Sequence, residues 1–382
     1  MSFISSINVL GGDTTQSRKD AKSQRLFKFL CAFRPFASLR SLPTKSERVG
    51  PGRNERVRRD GGWRGEVARR LQHGDRIWKI LISAAAIATV ALVLWIAWRI
   101  WADSAPSRHP FGLKFISPWA KQTWNPALEK FNAWPMIYGS LMTSFLALVI
   151  AVPFSLAIAV FLAELAPPQL RAVLNYMVEM LAAVPSVVYG LWGIYVFLPV
   201  IVVPIGKALA ATLGSVPGLA LFFRGPMPDS GLSMLGAALI LVIMITPTIT
   251  AVSRDVLLAI PQSQREAALA LGATEWETVW KVLIPYGLSG ILGAVILGLG
   301  RAIGETMAVT MVIGNTTGGG YSILRPGYTM ASIIANEFAE AVSDIHASAL
   351  IEIGVVLFVT TLILNAIARW LVWRVNRKTM GR

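Results

Sequence analysis

Apolar residues gather in six long runs, separated by shorter stretches rich in polar residues, proline and glycine. The runs lie at about 77–100, 138–163, 174–198, 232–252, 287–313 and 349–368. Each is close to or above the roughly 20 residues that an α-helix needs to cross a hydrocarbon core about 30 Å thick. The pattern predicts an all-α polytopic membrane protein, with six transmembrane helices in one domain at 75–372. Trp78 stands near one end of the first run and Trp95, Trp98 and Trp101 near the other, as interfacial aromatic belts require. Pro153 falls inside the second run, which a transmembrane helix tolerates when neighbours satisfy the freed carbonyl. In the third run, Pro185 and the glycines of AAVPSVVYGLWG are expected to kink the helix or let another approach it. The loop 199–231 is broken by Pro204, Pro217, Pro226 and Pro228 and is expected to re-enter the membrane in part.

One interruption differs from the others. Residues 254–286 are too polar for lipid and read as two short helices. Ser263 with Glu266, and Thr274 with Glu277, fit the capping-box spacing, in which hydroxyl and carboxylate satisfy orphan amides at a helix start. Gly272 lies between the two helices, where a helix end favours a residue that tolerates positive φ. Trp276, Val279, Trp280 and Leu283 form one apolar stripe, and Pro285 is expected to stop the second helix. The tryptophans read as packing residues. Amphipathicity alone leaves two readings open, a docking element for a partner and a hairpin packed on the membrane surface.

The fifth run carries charge. Gly290, Ala294, Gly298 and Ala302 recur every four residues, and Gly293, Gly300 and Gly304 lie close by, a pattern that lets helices approach backbone to backbone. Helical spacing puts Arg301 and Glu305 on the face of Gly298 and Ala302, toward another helix or a cavity. A lone Arg at the bilayer centre costs about 2.5–3.5 kcal/mol on the insertion scale, which Glu305 one turn away would offset. A structural ion pair and a contact for a passing anion both fit. A guanidinium suits a phosphate oxyanion because its planar fork donates two parallel hydrogen bonds. Glu179 and Glu352, in or near spans, fit either a channel-side role or local pairing.

Composition agrees with the pattern. The chain is 54% hydrophobic and 15% charged, too apolar for an ordinary soluble domain. The net charge of +15 does not indicate nucleic acid, because it is concentrated at the ends: residues 1–79 hold 18 Lys/Arg against 7 Asp/Glu, and 369–382 add five basic residues. Basic segments flanking spans stay on the cytoplasmic side, so both termini are expected there. Residues 1–70 are expected to be a basic, disordered cytoplasmic extension rather than a cleavable signal, and 373–382 a basic cytoplasmic tail. One cysteine, Cys31, and three scattered histidines give no metal site. No phosphate-binding loop is present; Gly206-Lys207 lacks both the upstream glycine and the following hydroxyl. The lack of an H-E-x-x-H or a clustered His/Asp set counts against a membrane-embedded enzyme. A passive channel or scaffold is the remaining reading of another class.

The order Glu266-Ala267-Ala268, Gly272, Val282, Ile284, Pro285 resembles the cytoplasmic coupling loop of ABC importer permeases. GLGRAIGETMAVTMVIGN at 298–315, AVPSVVYGLWG at 183–193 and PTITAVSRDVLLAIP at 247–261 are similar to the phosphate-specific ABC permeases. The resemblance covers roughly 75–370 and implies the type I importer permease fold in a bacterial inner membrane. It implies a transport subunit for inorganic phosphate, with another oxyanion, or the partner permease itself, as alternatives. It implies a second, PstA-like permease, a PstB-like ATPase dimer that binds ATP-Mg, a PstS-like periplasmic phosphate-binding protein, and no cofactor on this chain. Arg301 and Glu305 would meet phosphate. Glu266, Ala267, Ala268, Gly272 and Pro285 would dock the ATPase.

Overall fold

A computed structural model of the 382-residue chain describes residues 61–119, 124–218, 220–318 and 320–380. The expected extension 1–70 lies outside the described residues up to residue 60. From Gly61 the backbone is helical, in one helix that runs to Asp103. Internal contacts divide the chain into Met1–Lys79 and Ile80–Arg382, and the helical bundle belongs to the second unit. Among the described residues there is no strand, only the isolated bridges Asn125–Lys130 and Gly314–Gly327.

Among the described residues, six helical stretches are long and apolar enough to cross a membrane: Trp78–Asp103, Trp134–Leu165, Ser186–Leu213, Met234–Leu258, Glu275–Gly304 and Asp344–Val375. The fourth is the axis of the bundle. In its most apolar stretch 61% of residues are buried, against 33% or fewer in the others. The second span packs along it through a row of small buried residues, Ala147, Ala151, Ser155 and Ala159, spaced every four. Between apolar helices in lipid there is little hydrophobic drive, so close backbone approach and dispersion hold such a pair. Ser155 Oγ donates to the Thr246 carbonyl at 3.3 Å, and Thr250 Oγ1 donates to the Ser155 carbonyl at 3.3 Å, stitching the two helices beside Pro247.

Two crossings differ from expectation. The third, expected as one kinked helix over 174–198, is two helices, Pro168–Ala183 and a second that starts at Ser186 and runs to Leu213. Val184 and Pro185 between them are extended (ψ 129° and 138°). The residue before a proline is driven out of the α region, so the helix ends there rather than bending. Glu179 reaches Arg254 near the end of the fourth span, while Leu198 lies against Gly231 and Gly236 at its start. The stretch long and apolar enough to cross is the second helix, Ser186–Leu213, so residues 199–213 continue a helix where a partly re-entrant loop was expected. Pro185, expected to serve helix packing, is exposed at the N-cap of the helix from Ser186.

The fifth crossing, expected as an unbroken helix over 287–313, starts earlier, at Glu275, and stops at Gly304; a separate helix spans Met307–Val312. Pro285 does not stop it. A π-turn over Val279–Leu283 precedes Pro285, which lies in the first turn of the segment Ile284–Gly304. A wide turn rearranges the hydrogen-bond ladder where proline offers no N–H. The helices that follow the two breaks pack together: a Cβ on Gly190 would lie 3.3 Å from Ala308 Cα and 2.6 Å from Met311 Sδ. The sixth helix, Asp344–Met380, takes in most of the tail expected at 373–382.

Candidate functional site

Arg301 sits in the last turn of the fifth span, where a cation is favoured by the helix dipole. Its Nη1 donates to Thr248 Oγ1 at 3.0 Å, just past the middle of the fourth span. Arg301, Thr248, Gly293, Leu297, Gly300 and Asn365 line a cleft of about 480 Å³ between the fourth, fifth and sixth spans. A Cβ on Gly293 or Gly300 would meet nothing within 4 Å, so the glycines keep this face open. The polar set is a guanidinium, a hydroxyl and a carboxamide on otherwise apolar walls. Among the described residues Arg301 makes no ion pair, which leaves donors for an oxyanion.

Glu305 takes a different place from the one its spacing suggests. It follows the last helical residue, with φ −71° and ψ 125°, so it does not continue the face that carries Arg301. Its Oε1 accepts from the Ala308 amide at 3.3 Å, capping the short helix Met307–Val312. The break removes the helical register on which an Arg301–Glu305 pair depends. Thr248 and Asn365 do not stand out in the sequence as members of this cleft. A lone Asn in the apolar run LILNAIARW of the sixth span is the signal that could have found the second.

The glycines also sort themselves. Gly298 is packed, since a Cβ there would come within 2.7 Å of Ile249; Gly290 is packed on Val256 at 2.6 Å. Ala294 and Ala302, on the same face, are buried. Gly300 and Gly304, expected to serve packing, would place a Cβ in open space. Gly300 serves the cleft instead, and Gly304 ends the helix.

The polar segment after the fourth span folds as a helix Gln262–Ala270, a turn, and the start of the fifth span at Glu275. Gly272 has φ +83° and ends the first helix as its spacing predicts. The Thr274–Glu277 capping box forms: the Glu277 amide donates to Thr274 Oγ1 at 3.2 Å and the Thr274 amide to Glu277 Oε2 at 3.1 Å. Thr274→Ala is expected to cost about 0.5–2 kcal/mol, read by thermal unfolding of the purified protein, with Thr274→Ser close to the parent. The Ser263–Glu266 box does not form, because the helix begins two residues earlier behind Pro261 and has no side-chain cap.

Along this helix Ala268 is buried while Glu266 and Ala267 are exposed. Pro285 is exposed as well. Val279 and Leu283 are buried against the ends of the second and fourth spans. Trp276 and Trp280, expected as packing, are 61% and 50% exposed and rest edge-to-face on each other at 5.6 Å. The stripe is thus split, with its aliphatic half inward and its aromatic half outward. Arg265, unmarked by any pattern in the sequence, forks onto Glu164 at the end of the second span, with Nη2–Oε1 at 2.7 Å.

The remaining intramembrane acids pair locally. Glu179 faces Arg254 Nη2 at 3.6 Å, and Asp255 takes the same nitrogen at 2.8 Å. Buried Glu352 accepts from the Ser107 hydroxyl. His346, a loop residue by its sequence context, is buried on Phe131 and paired with Glu337 at 3.2 Å.

A family model described as "Binding-protein-dependent transport system inner membrane component" matches residues 151–378. The chain is 41% identical over 316 residues to "Phosphate transport system permease protein PstC" of Mesorhizobium japonicum, covering 83% of this chain and 95% of that protein. It is 43% identical over 302 residues to the protein of the same name from Pasteurella multocida, covering 79% and 89%. Among solved structures it is similar in fold to a chain of a bacterial alginate ABC transporter crystallised with a pentasaccharide-bound periplasmic protein. That likeness has a TM-score of 0.53 and 15% identity, over 80% of this chain and 97% of that one.

Proposed function

The chain belongs to the family of binding-protein-dependent transport system inner membrane components, and we propose how its parts act there. It is a multi-pass inner-membrane permease subunit for phosphate import. It is a transport subunit and not an enzyme, and hydrolysis of ATP falls to another chain. The reading of its substrate path rests on one observation: an arginine without an ion pair among the described residues, hydrogen-bonded to Thr248, facing a cleft that open glycines keep clear. Such a guanidinium offers a dehydrated phosphate two parallel donors. Thr248 and Asn365 can serve the remaining oxygens. Glu305 shapes the path by capping the helix beyond the break.

The helix Gln262–Ala270 is the docking element for a PstB-like ATPase dimer, which carries the ATP-Mg. Exposed Glu266 and Ala267 form its outward face, and Gly272 and Pro285 bound the segment. A PstA-like permease completes the pathway, and a PstS-like binding protein delivers phosphate from the other side. The Lys/Arg excess at both ends supports a cytoplasmic location for both termini. ATP-driven closure of the ATPase dimer then moves the docking helices, and the spans open the cleft alternately to the two sides.

The test is ATP-driven [³²P]phosphate uptake into vesicles that hold the full complex. Glu266→Ala is expected to lower the amount of ATPase subunit that co-purifies with the permease by several-fold, with uptake falling in proportion. Undiminished co-purification would remove Glu266 from the docking face.

A further inference from the structure

One side chain of the docking helix reaches deep into the bundle. Arg265, immediately before Glu266, turns inward and is 14% exposed; its partner Glu164 is 18% exposed. The guanidinium grips both neighbours. Nε donates to Glu164 Oε2 at 3.1 Å and Nη2 to Oε1 at 2.7 Å, a bidentate grip on the carboxylate. Nη2 also donates to the Leu257 carbonyl at 2.9 Å, and Nη1 to the Ile260 carbonyl at 2.8 Å. Those carbonyls belong to the last turn of the fourth span and the residues just past it, where the regular helical ladder ends and a cation is favoured. Glu164 lies in the π-turn Phe161–Leu165 that ends the second span.

One planar group therefore joins the docking helix to the ends of the second and fourth spans. Those two spans pack closely along their length, through the row from Ala147 to Ala159. The fourth carries Thr248, which holds Arg301. On one side of Arg265 is the exposed docking face; on the other a continuous helix leads to the cleft. The aliphatic contacts of Val279 and Leu283 also join this region, but such contacts can slide. A bidentate fork with two further carbonyls fixes angle as well as distance.

The geometry points to Arg265 as the positioning residue through which movement of the docking helix is transmitted to the second and fourth spans, with Glu164 as its anchor. This rests on the docking role proposed above for Gln262–Ala270. Arg265 lies outside the cleft that Arg301 lines. Its loss is expected to separate two activities that the intact complex keeps in step.

The experiment uses the complete complex in proteoliposomes and measures ATP hydrolysis, [³²P]phosphate uptake and the amount of ATPase subunit retained, for Arg265→Gln, Arg265→Lys, Glu164→Gln and the double glutamine variant. With Arg265→Gln, ATPase attachment and hydrolysis are expected to stay within about twofold of the parent. Uptake per ATP hydrolysed should fall by about tenfold, within the range of coupling between linked sites. Glu164→Gln keeps the shape of the side chain and is expected to give the same uncoupling in smaller degree. The double variant should be no worse than Arg265→Gln, because the two residues act as a unit. Arg265→Lys keeps charge without the fork and should fall between. Unchanged uptake per ATP in Arg265→Gln overturns the assignment. So does a parallel loss of uptake and hydrolysis in both Arg265→Gln and Glu164→Gln, which would mean that the pair holds the fold or the ATPase and does not transmit motion. The docking reading itself is judged separately, by ATPase retention in Glu266→Ala; its failure leaves retention unchanged there whatever the Arg265 ratio shows.

Discussion

Arg301→Gln is expected to abolish phosphate uptake while the complex still assembles. A hydrogen bond to a charged group contributes about 1.5–3 kcal/mol, so losing a two-bond grip on an oxyanion corresponds to roughly a hundredfold or more in transport. Assembly should survive because Arg301 makes no ion pair among the described residues and holds Thr248 by a single hydrogen bond, at 3.0 Å. The packed face of the same helix, Gly290, Ala294, Gly298 and Ala302, is untouched. Arg301→Lys separates charge from geometry. Lysine is a point charge without the planar fork, and it should retain part of the uptake. Thr248→Val, which removes only the hydroxyl that positions the guanidinium, should fall between parent and Arg301→Gln. The readout is initial uptake rate into vesicles at equal complex content. Uptake at the parental rate in Arg301→Gln would reduce the residue to a structural cation at a helix end.

The second large effect is expected at a residue with no chemistry. Gly139 lies near the start of the second span, under the loop that leads to the helix Met330–Glu337. A Cβ there would lie 2.0 Å from the Tyr328 carbonyl oxygen and 3.1 Å from its carbon. Those are backbone atoms, and they are held down: the Met330 amide donates to Ser140 Oγ at 2.8 Å, next to the glycine. A capping box at Thr329 and Ser332 further fixes the loop, so it has little freedom to retreat. Gly139→Ala should therefore lift the loop from the span or force the helix away from it. Overpacking of this kind typically costs about 1–3 kcal/mol, and a backbone clash sits at the upper end. The expected result is a much reduced yield of monodisperse complex, a lower unfolding temperature, and uptake that falls with the amount of folded protein. Gly304→Ala is the control. Its Cβ would meet nothing within 4 Å, and folding should be unaffected. Equal behaviour of the two variants would show that the loop is not seated on Gly139.

Both predictions turn on features that are local in space but not in sequence. The chain pattern alone determined that this is a six-span helical membrane protein with a polar helical interruption before the fifth span, because hydrophobic length is a property of consecutive residues. It also located Gly272 and the Thr274–Glu277 cap, whose partners lie within three residues of each other. Arg301 stood out because an arginine in an apolar run is costly wherever it points. Tertiary structure decided the rest. Whether a glycine in a span packs a neighbour, lines a cleft or ends a helix depends on what lies across from it: Ile249 for Gly298, open space for Gly300 and Gly304. Glu305 left the face assigned to it because the fifth helix ends at Gly304, and the short helix beyond that break packs on the one that follows Val184–Pro185. Pro285 sits within a helix because a π-turn before it absorbs the missing amide. Arg265 and Glu164, about a hundred positions apart, have no shared pattern to betray them. Periodicity reports which face a residue is on; only the folded chain brings to that face the partner that gives it a role.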